Sequence, residues 1–171
     1  MPGPVRPDPV RPDPVGAGQE SVWDYPRPPR VERSDLEVVV VLGGQEVCRT
    51  RGGLRVLETS HPPGWYLPVD DWQPGALTPG AGSSFCEFKG SAVYLDVRSG
   101  DRMEAGAAWQ YPEPTAGFEI LRGTVAVYPG RMDLCTVDGE VVRAQEGGFY
   151  GGWITDDVVG PFKGAPGTRF W

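Results

Sequence analysis

At 171 residues the chain suits one domain with a sizeable core. Its 25 glycines and 19 prolines punctuate short apolar runs, which excludes a helical bundle and favours an all-β fold, while six tryptophans call for a core or a pocket and exclude a wholly disordered chain. A net charge of −7 disfavours nucleic-acid binding, which needs basic clusters against phosphates, and no apolar run approaches the ~20 residues of a membrane helix.

Residues 1–18 hold two copies of Val-Arg-Pro-Asp-Pro and a Gly16-Ala17-Gly18 hinge. This reads as a disordered, Pro-rich tail with nothing to bury. Residues 19–171 read as a single β domain: an arm carrying Trp23 and Tyr25, a core from about 36 to 142, and a Gly-rich extension. The expected strands begin with Leu36–Leu42, turned back at Gly43-Gly44 into Gln45–Arg49. Leu54–Thr59 follows and is stopped by His61-Pro62-Pro63. Residues 69–84 read as a surface loop. Phe85–Phe88 and Ser91–Val97 are strands broken at Gly90, then come Ala107–Tyr111, Thr124–Tyr128 and a hairpin of Leu134–Val137 with Val141-Val142 around Asp138-Gly139. The run from Gly147 to Trp153 is too glycine-rich for regular structure, and Thr155 is placed to cap one short helical turn through Val159. At most one or two such turns are expected.

The N-terminus lacks the basic-then-apolar pattern of a secretory signal, and Cys48, Cys86 and Cys135 are an odd, widely spaced set. Both features predict a cytosolic protein with reduced thiols. Of the 16 basic residues only two are lysines, and both occupy the same tripeptide, Phe88-Lys89-Gly90 and Phe162-Lys163-Gly164. An ammonium is a compact charge able to lose its proton when desolvated, unlike a guanidinium, so the pair predicts either two turns with Lys stems covering rings or two charges aimed into one site.

Several phrases resemble one known family. They are Val56-Leu57-Glu58-Thr59-Ser60-His61-Pro62-Pro63, Phe85-Cys86-Glu87-Phe88-Lys89-Gly90, Trp109-Gln110-Tyr111, Val127-Tyr128-Pro129-Gly130-Arg131 and the ending from Gly160 to Thr168. Together they resemble the DUF427 family over about residues 20–171. The resemblance implies a β-rich, Mss4-like β-tent fold, sometimes labelled nucleotidyltransferase-like. Nucleotidyl transfer needs closely spaced carboxylates on metal ions beside a Gly-Ser turn; Gly90-Ser91 is present, but no Asp-x-Asp or Asp-x-Glu set follows it. The Cys-x-x-Cys pairs that hold zinc in Mss4-like folds are missing as well, so neither a metal nor a cofactor is expected.

Glu58 and the sole histidine, His61, stand three apart at a strand end, where a carboxylate could orient the imidazole or raise its pKa. Glu87 and Lys89 are expected to share a strand face and form a pair, with Cys86 turned into the core. Glu58, His61, Glu87 and Lys89 are therefore the candidate catalytic residues. Trp65, Tyr66, Trp109, Tyr111, Tyr150, Trp153 and Lys163 are the candidate ligand-binding residues, with Gly147-Gly148 and Gly151-Gly152 bracketing a pocket loop. The expected function is cofactor-independent acid/base chemistry (isomerisation, cyclisation, elimination or hydrolysis) on a small organic molecule in an aromatic-lined pocket. A non-catalytic small-molecule binding module and a partner-binding scaffold recognised through the Pro-rich tail stand as alternatives.

Overall fold

The computed structural model describes residues 9–171. The arm begins with β1 (Glu20–Ser21) and a single 3-10 turn at Val22–Asp24, started by the Ser21 side chain accepting from the Trp23 N–H. Strands β2 (Arg30–Arg33), β3 (Val38–Leu42), β4 (Gln45–Thr50), β5 (Leu54–Leu57) and β6 (Gly64–Pro68) follow. Two long strands and a slightly shorter one come next: β7 (Leu77–Cys86), β8 (Gly90–Ser99) and β9 (Arg102–Gln110). The remainder are β10 (Thr124–Val127), β11 (Leu134–Val137), β12 (Glu140–Val141), β13 (Arg143–Ala144), β14 (Trp153–Ile154) and β15 (Val158–Val159). The fold is all-β, as expected, and its helical residues are confined to four short 3-10 turns among the described residues, more than the one or two expected.

Seven strands form one antiparallel sheet in the order β2-β5-β6-β10-β9-β8-β7, and four form a second in the order β12-β11-β3-β4. Alternate residues of each strand point to opposite faces. Val38, Val40 and Leu42 of the small sheet therefore meet Trp65, Leu67, Val97, Val125 and Val127 of the large one in the main core. The other face of the large sheet carries a second cluster built on Leu54, Val56, Tyr66, Tyr111 and Ala126. Cys48 and Cys135 pair with the same residue, Val40, from its two sides. Two strand spacings separate them, about 9–10 Å, which is beyond disulfide reach. Burial pushes both thiols up to about 12.

Three expected elements differ in the structure, and one strand was not expected at all. Residues 69–84 are not one surface loop: Leu77–Cys86 is a strand paired with β8, its register broken between Pro79 and Ser83 where glycines 80 and 82 let the chain bulge. Phe85–Phe88 is not a strand throughout, because β7 ends at Cys86 and Glu87–Lys89 turns the chain into β8. Gly64–Pro68, between the prolines and residue 69, is a central strand absent from the sequence reading. Thr155 caps no helical turn; its hydroxyl bonds the Asp157 carboxylate, and Val158–Val159 pairs in parallel with Glu20–Ser21. The arm is thus a sheet partner, with Val22 and Tyr25 buried against Leu57 and Val158. Residues 1–8 of the Pro-rich tail lie outside the described residues. Farther along it, the Asp13 N–H donates to the Gly160 carbonyl at 2.8 Å.

Candidate functional site

A half-open cavity of about 310 Å³ lies on the outer face of the large sheet. Strand alternation selects its floor. On β6 the Tyr66 ring turns outward while its neighbours Trp65 and Leu67 enter the main core. On β8 and β9 the paired residues Tyr94 and Trp109 face the same way as Tyr66. Ala126, paired with Trp109, leaves room for the indole Nε1–H to reach the Tyr66 hydroxyl at 3.3 Å. The rings of Tyr66 and Tyr111 lie 6.2 Å apart, and those of Trp109 and Tyr128 are 4.6 Å apart. Burial raises the Tyr111 phenol and, together with Tyr94, pushes Tyr128 up to about 12, so both keep their protons at neutral pH.

Glu58 and His61 are joined by a tight turn. The His61 N–H donates to the Glu58 carbonyl at 3.1 Å, with Ser60 held at a φ of 72°, a left-handed value rare outside glycine. The turn sets His61 Nε2 at 3.6 Å from the Glu58 carboxylate, whose same oxygen lies 3.5 Å from Arg27 Nε. Gln145 completes the arrangement. Its Oε1 accepts the Gly152 N–H at 3.1 Å, which orients the amide so that Nε2 donates to the Lys163 carbonyl at 2.6 Å and faces His61 Nδ1 at 3.4 Å. An amide donor at Nδ1 leaves the imidazole proton on Nε2, directed at Glu58. Burial, followed by the charges of Lys163, Arg27 and Lys89, pushes the His61 pKa down to about 4. The histidine is therefore neutral at pH 7. Its Nδ1 faces the Gln145 amide, and its Nε2 lies beside the Glu58 carboxylate at 3.6 Å, beyond hydrogen-bond reach.

The two lysines enter from distant segments. Lys89 sits in the β7–β8 turn, pinned by Thr115, whose N–H bonds the Lys89 carbonyl at 3.1 Å and whose hydroxyl donates to the Phe88 carbonyl. Its Nζ lies over the Tyr111 ring at 5.6 Å and the Tyr66 ring at 5.9 Å. Burial opposes its charge, but Tyr66, Cys86 and Glu58 outweigh it and hold the pKa above the ordinary lysine value. Lys163 is placed by its N–H on the Ser60 carbonyl at 2.8 Å; its Nζ lies 5.8 Å from the Tyr150 ring centre and 3.2 Å from the Trp171 carbonyl. Among the described residues, neither ammonium has a side-chain carboxylate within 4.0 Å. The expected Glu87–Lys89 pair does not form, because both residues fall in a turn where strand alternation no longer aligns them, and Glu87 is exposed on the cavity's edge.

Of the candidate residues, Glu58, His61, Glu87, Lys89, Tyr66, Trp109, Tyr111, Tyr150 and Lys163 line this one cavity. Trp65 and Trp153 do not. They pack on each other in the main core with ring centres 6.1 Å apart, and the Trp153 Nε1–H donates to the Val127 carbonyl. Cys86, expected in the core, is half-buried on the cavity wall because its strand ends there. Gln145, Tyr94 and Tyr128 were not among the candidate site residues. The Val93–Leu95–Val97 alternation placed Tyr94 on the outer face, but Gln145 left no signal, since its partners are mostly backbone groups brought together by the fold.

Glu58, His61 and Glu87 are the wall's oxygen and nitrogen donors of metal-ligand type, and among the described residues no three His, Cys, Asp or Glu side chains gather closely enough to hold a metal ion. No described helix is long and apolar enough to cross a membrane. No curated protein matches the chain. A family model described as a domain of unknown function, DUF427, matches residues 30–138, which includes Glu58, His61, Lys89 and the aromatic floor but not Gln145 or Lys163. That match spans more than half of the chain, which belongs to the DUF427 family.

Proposed function

We propose that the protein carries out acid/base chemistry on a small organic molecule held in this cavity, without a cofactor. The observation that supports the reading is the meeting of Glu58, His61, Lys89 and Lys163, drawn from three separate chain segments, in one half-open chamber walled by aromatic rings. Glu58 is the proton-transfer group. Its carboxylate stands between His61 Nε2 at 3.6 Å and Arg27 Nε at 3.5 Å, which limits its swing. Lys89 and Lys163 stabilise negative charge that develops on the substrate as the proton leaves, because fixed cations in a partly dehydrated site act more strongly than in water. The raised pKa of Lys89 fits an ammonium in this role and not a neutral amine forming a Schiff base. The proton that Glu58 takes from the substrate returns at a second position in isomerisation, leaves with the departing group in elimination or is passed on as a ring closes; in hydrolysis Glu58 takes it instead from the attacking water and the leaving group carries it away.

A binding module without turnover is the second reading, favoured by the engagement of His61 Nδ1 with Gln145, which leaves proton transfer to Glu58 and to Glu87 at the cavity's edge. Incubation of the protein with a small-molecule cell extract, followed by mass spectrometry, separates the two. Acid/base catalysis predicts that a compound is consumed by the native chain, while Glu58→Gln retains but does not convert it. Retention without conversion by both chains would replace catalysis with binding, and the absence of both would overturn the site.

A further inference from the structure

The cavity has chemically different parts. Lys89 and Lys163 are half-buried within it, over tyrosine rings and without a side-chain carboxylate partner among the described residues. Phe85 and Phe149, 72% and 65% exposed, line its mouth. Lys163 Nζ is held by one carbonyl oxygen, that of Trp171, and Lys89 by its tyrosine rings, so two positive charges face the cavity with no side-chain carboxylate within 4.0 Å among the described residues, which favours an anionic occupant. Two large exposed rings on the rim of a ring-walled chamber lose water contact only if the occupant is apolar where it leaves the cavity. A phosphate head is normally cradled by a helix N-terminus or a nest of backbone N–H groups; the 3-10 turn that starts beside this site, Pro129–Arg131 behind Tyr128, opens on a proline, which has no N–H to offer. The space equals about ten water molecules at about 30 Å³ each, enough for one or two fused rings.

We propose that the cavity selects an amphipathic organic carboxylate, with the carboxylate between Lys89 and Lys163, a flat apolar body on Trp109 and Tyr66, and its far end against Phe85 and Phe149; the assignment rests on the small-molecule reading above. Cation–π contact keeps the ammonium groups folded over the tyrosines in the absence of ligand, and the carboxylate takes them over as a bidentate partner. The lysines choose the charge and the phenylalanines choose the apolar body.

Calorimetric titration of the full chain with naphthoate, naphthamide and acetate tests this. Naphthoate should bind at least about tenfold more tightly than either of the others. Lys89→Gln and Lys163→Gln should each weaken naphthoate about tenfold and leave naphthamide unchanged. Should either variant fail to fold, the native chain still decides: raising salt must weaken naphthoate and spare naphthamide. Equal binding of naphthoate and naphthamide, or an unchanged naphthoate affinity in both folded lysine variants, overturns the charge assignment while the small-molecule site stands. Acetate binding as tightly as naphthoate overturns the apolar body alone. Binding of none of the three up to about 5 mM, an affinity weaker than roughly −3 kcal/mol, overturns this proposal and the small-molecule reading together.

Discussion

His61 is 17% exposed and surrounded by three cations, so protonating it works against both burial and like charge. Its folded pKa of about 4 lies below the ordinary 6.5, so the unfolded chain binds more protons at this residue between those values. The stability contributed by neutral His61 is complete above pH 6.5, declines as pH falls through the window and is lost below pH 4. The loss should be on the order of a few kcal/mol. Urea melts of the native chain and His61→Asn at several pH values isolate it: their difference should shrink on acidification, and a pH-independent difference would mean that the imidazole titrates normally. Ser60 bears a second local cost, since its φ of 72° is left-handed and its fully buried hydroxyl has no hydrogen-bond partner. Ser60→Gly should therefore leave stability unchanged or raise it by up to about 1 kcal/mol, relief of strain being partly offset by unfolded-state entropy. A thermal melt lowered by many degrees would show that the hydroxyl has a partner in solution.

At the scale of elements, β6 decides the character of the site. Adjacent residues of one strand serve opposite faces, so Trp65 and Tyr66 cannot both line the cavity; Trp65 goes to the core where Trp153 meets it. The 146–152 loop roofs the other side, and Gly151 lies so close to Trp109 that a Cβ there would run into the indole ring. Gly151→Ala should lift the loop or turn the ring, at about 1–3 kcal/mol, by overpacking against a wall held by Tyr66 and Tyr128. Chemical denaturation measures the cost, and an unchanged midpoint would place the loop farther from Trp109. The glycine bracket was readable in the sequence as a close approach of backbone; its partner was not, because Trp109 lies 42 residues away on another strand.

At the scale of the molecule, the N-terminal arm is a strap. Glu20–Ser21 pairs with Val158–Val159, Trp23 Nε1–H donates to the Pro161 carbonyl at 2.9 Å, and Arg55 joins Glu20 to Glu32. The strap thereby holds the segment that delivers Lys163. A chain starting at Gln19 gives up the Asp13 bond and the local Gly16–Gln19 bonds among the described contacts and should melt within a few degrees of the full chain. A chain starting at Pro26 also loses buried Val22 and Tyr25 and should lose at least about 3 kcal/mol. Thermal melts of the three chains decide: equal stability of all three would show that the strap does not dock, and a large loss on the first truncation would extend the docked region into the Pro-rich tail.

Composition and β-branched runs were enough to determine an all-β chain, because alternation and turn glycines act over a few residues: the Gly43-Gly44 and Asp138-Gly139 hairpins lie where their local chemistry puts them. The same local signals picked out Glu58 with His61, joined by one turn, and the matched Phe-Lys-Gly phrases. Strand β6 escaped because Pro62-Pro63 reads as a stop, although both prolines precede the first paired residue. Only the tertiary structure decided which rings of the aromatic set face the cavity, that Gln145 holds the His61 proton on Nε2, and that both lysines stand over tyrosines instead of beside carboxylates. Those outcomes depend on register and on contacts between residues tens of positions apart, and the free energy of such contacts leaves no periodic trace in the residues that make them.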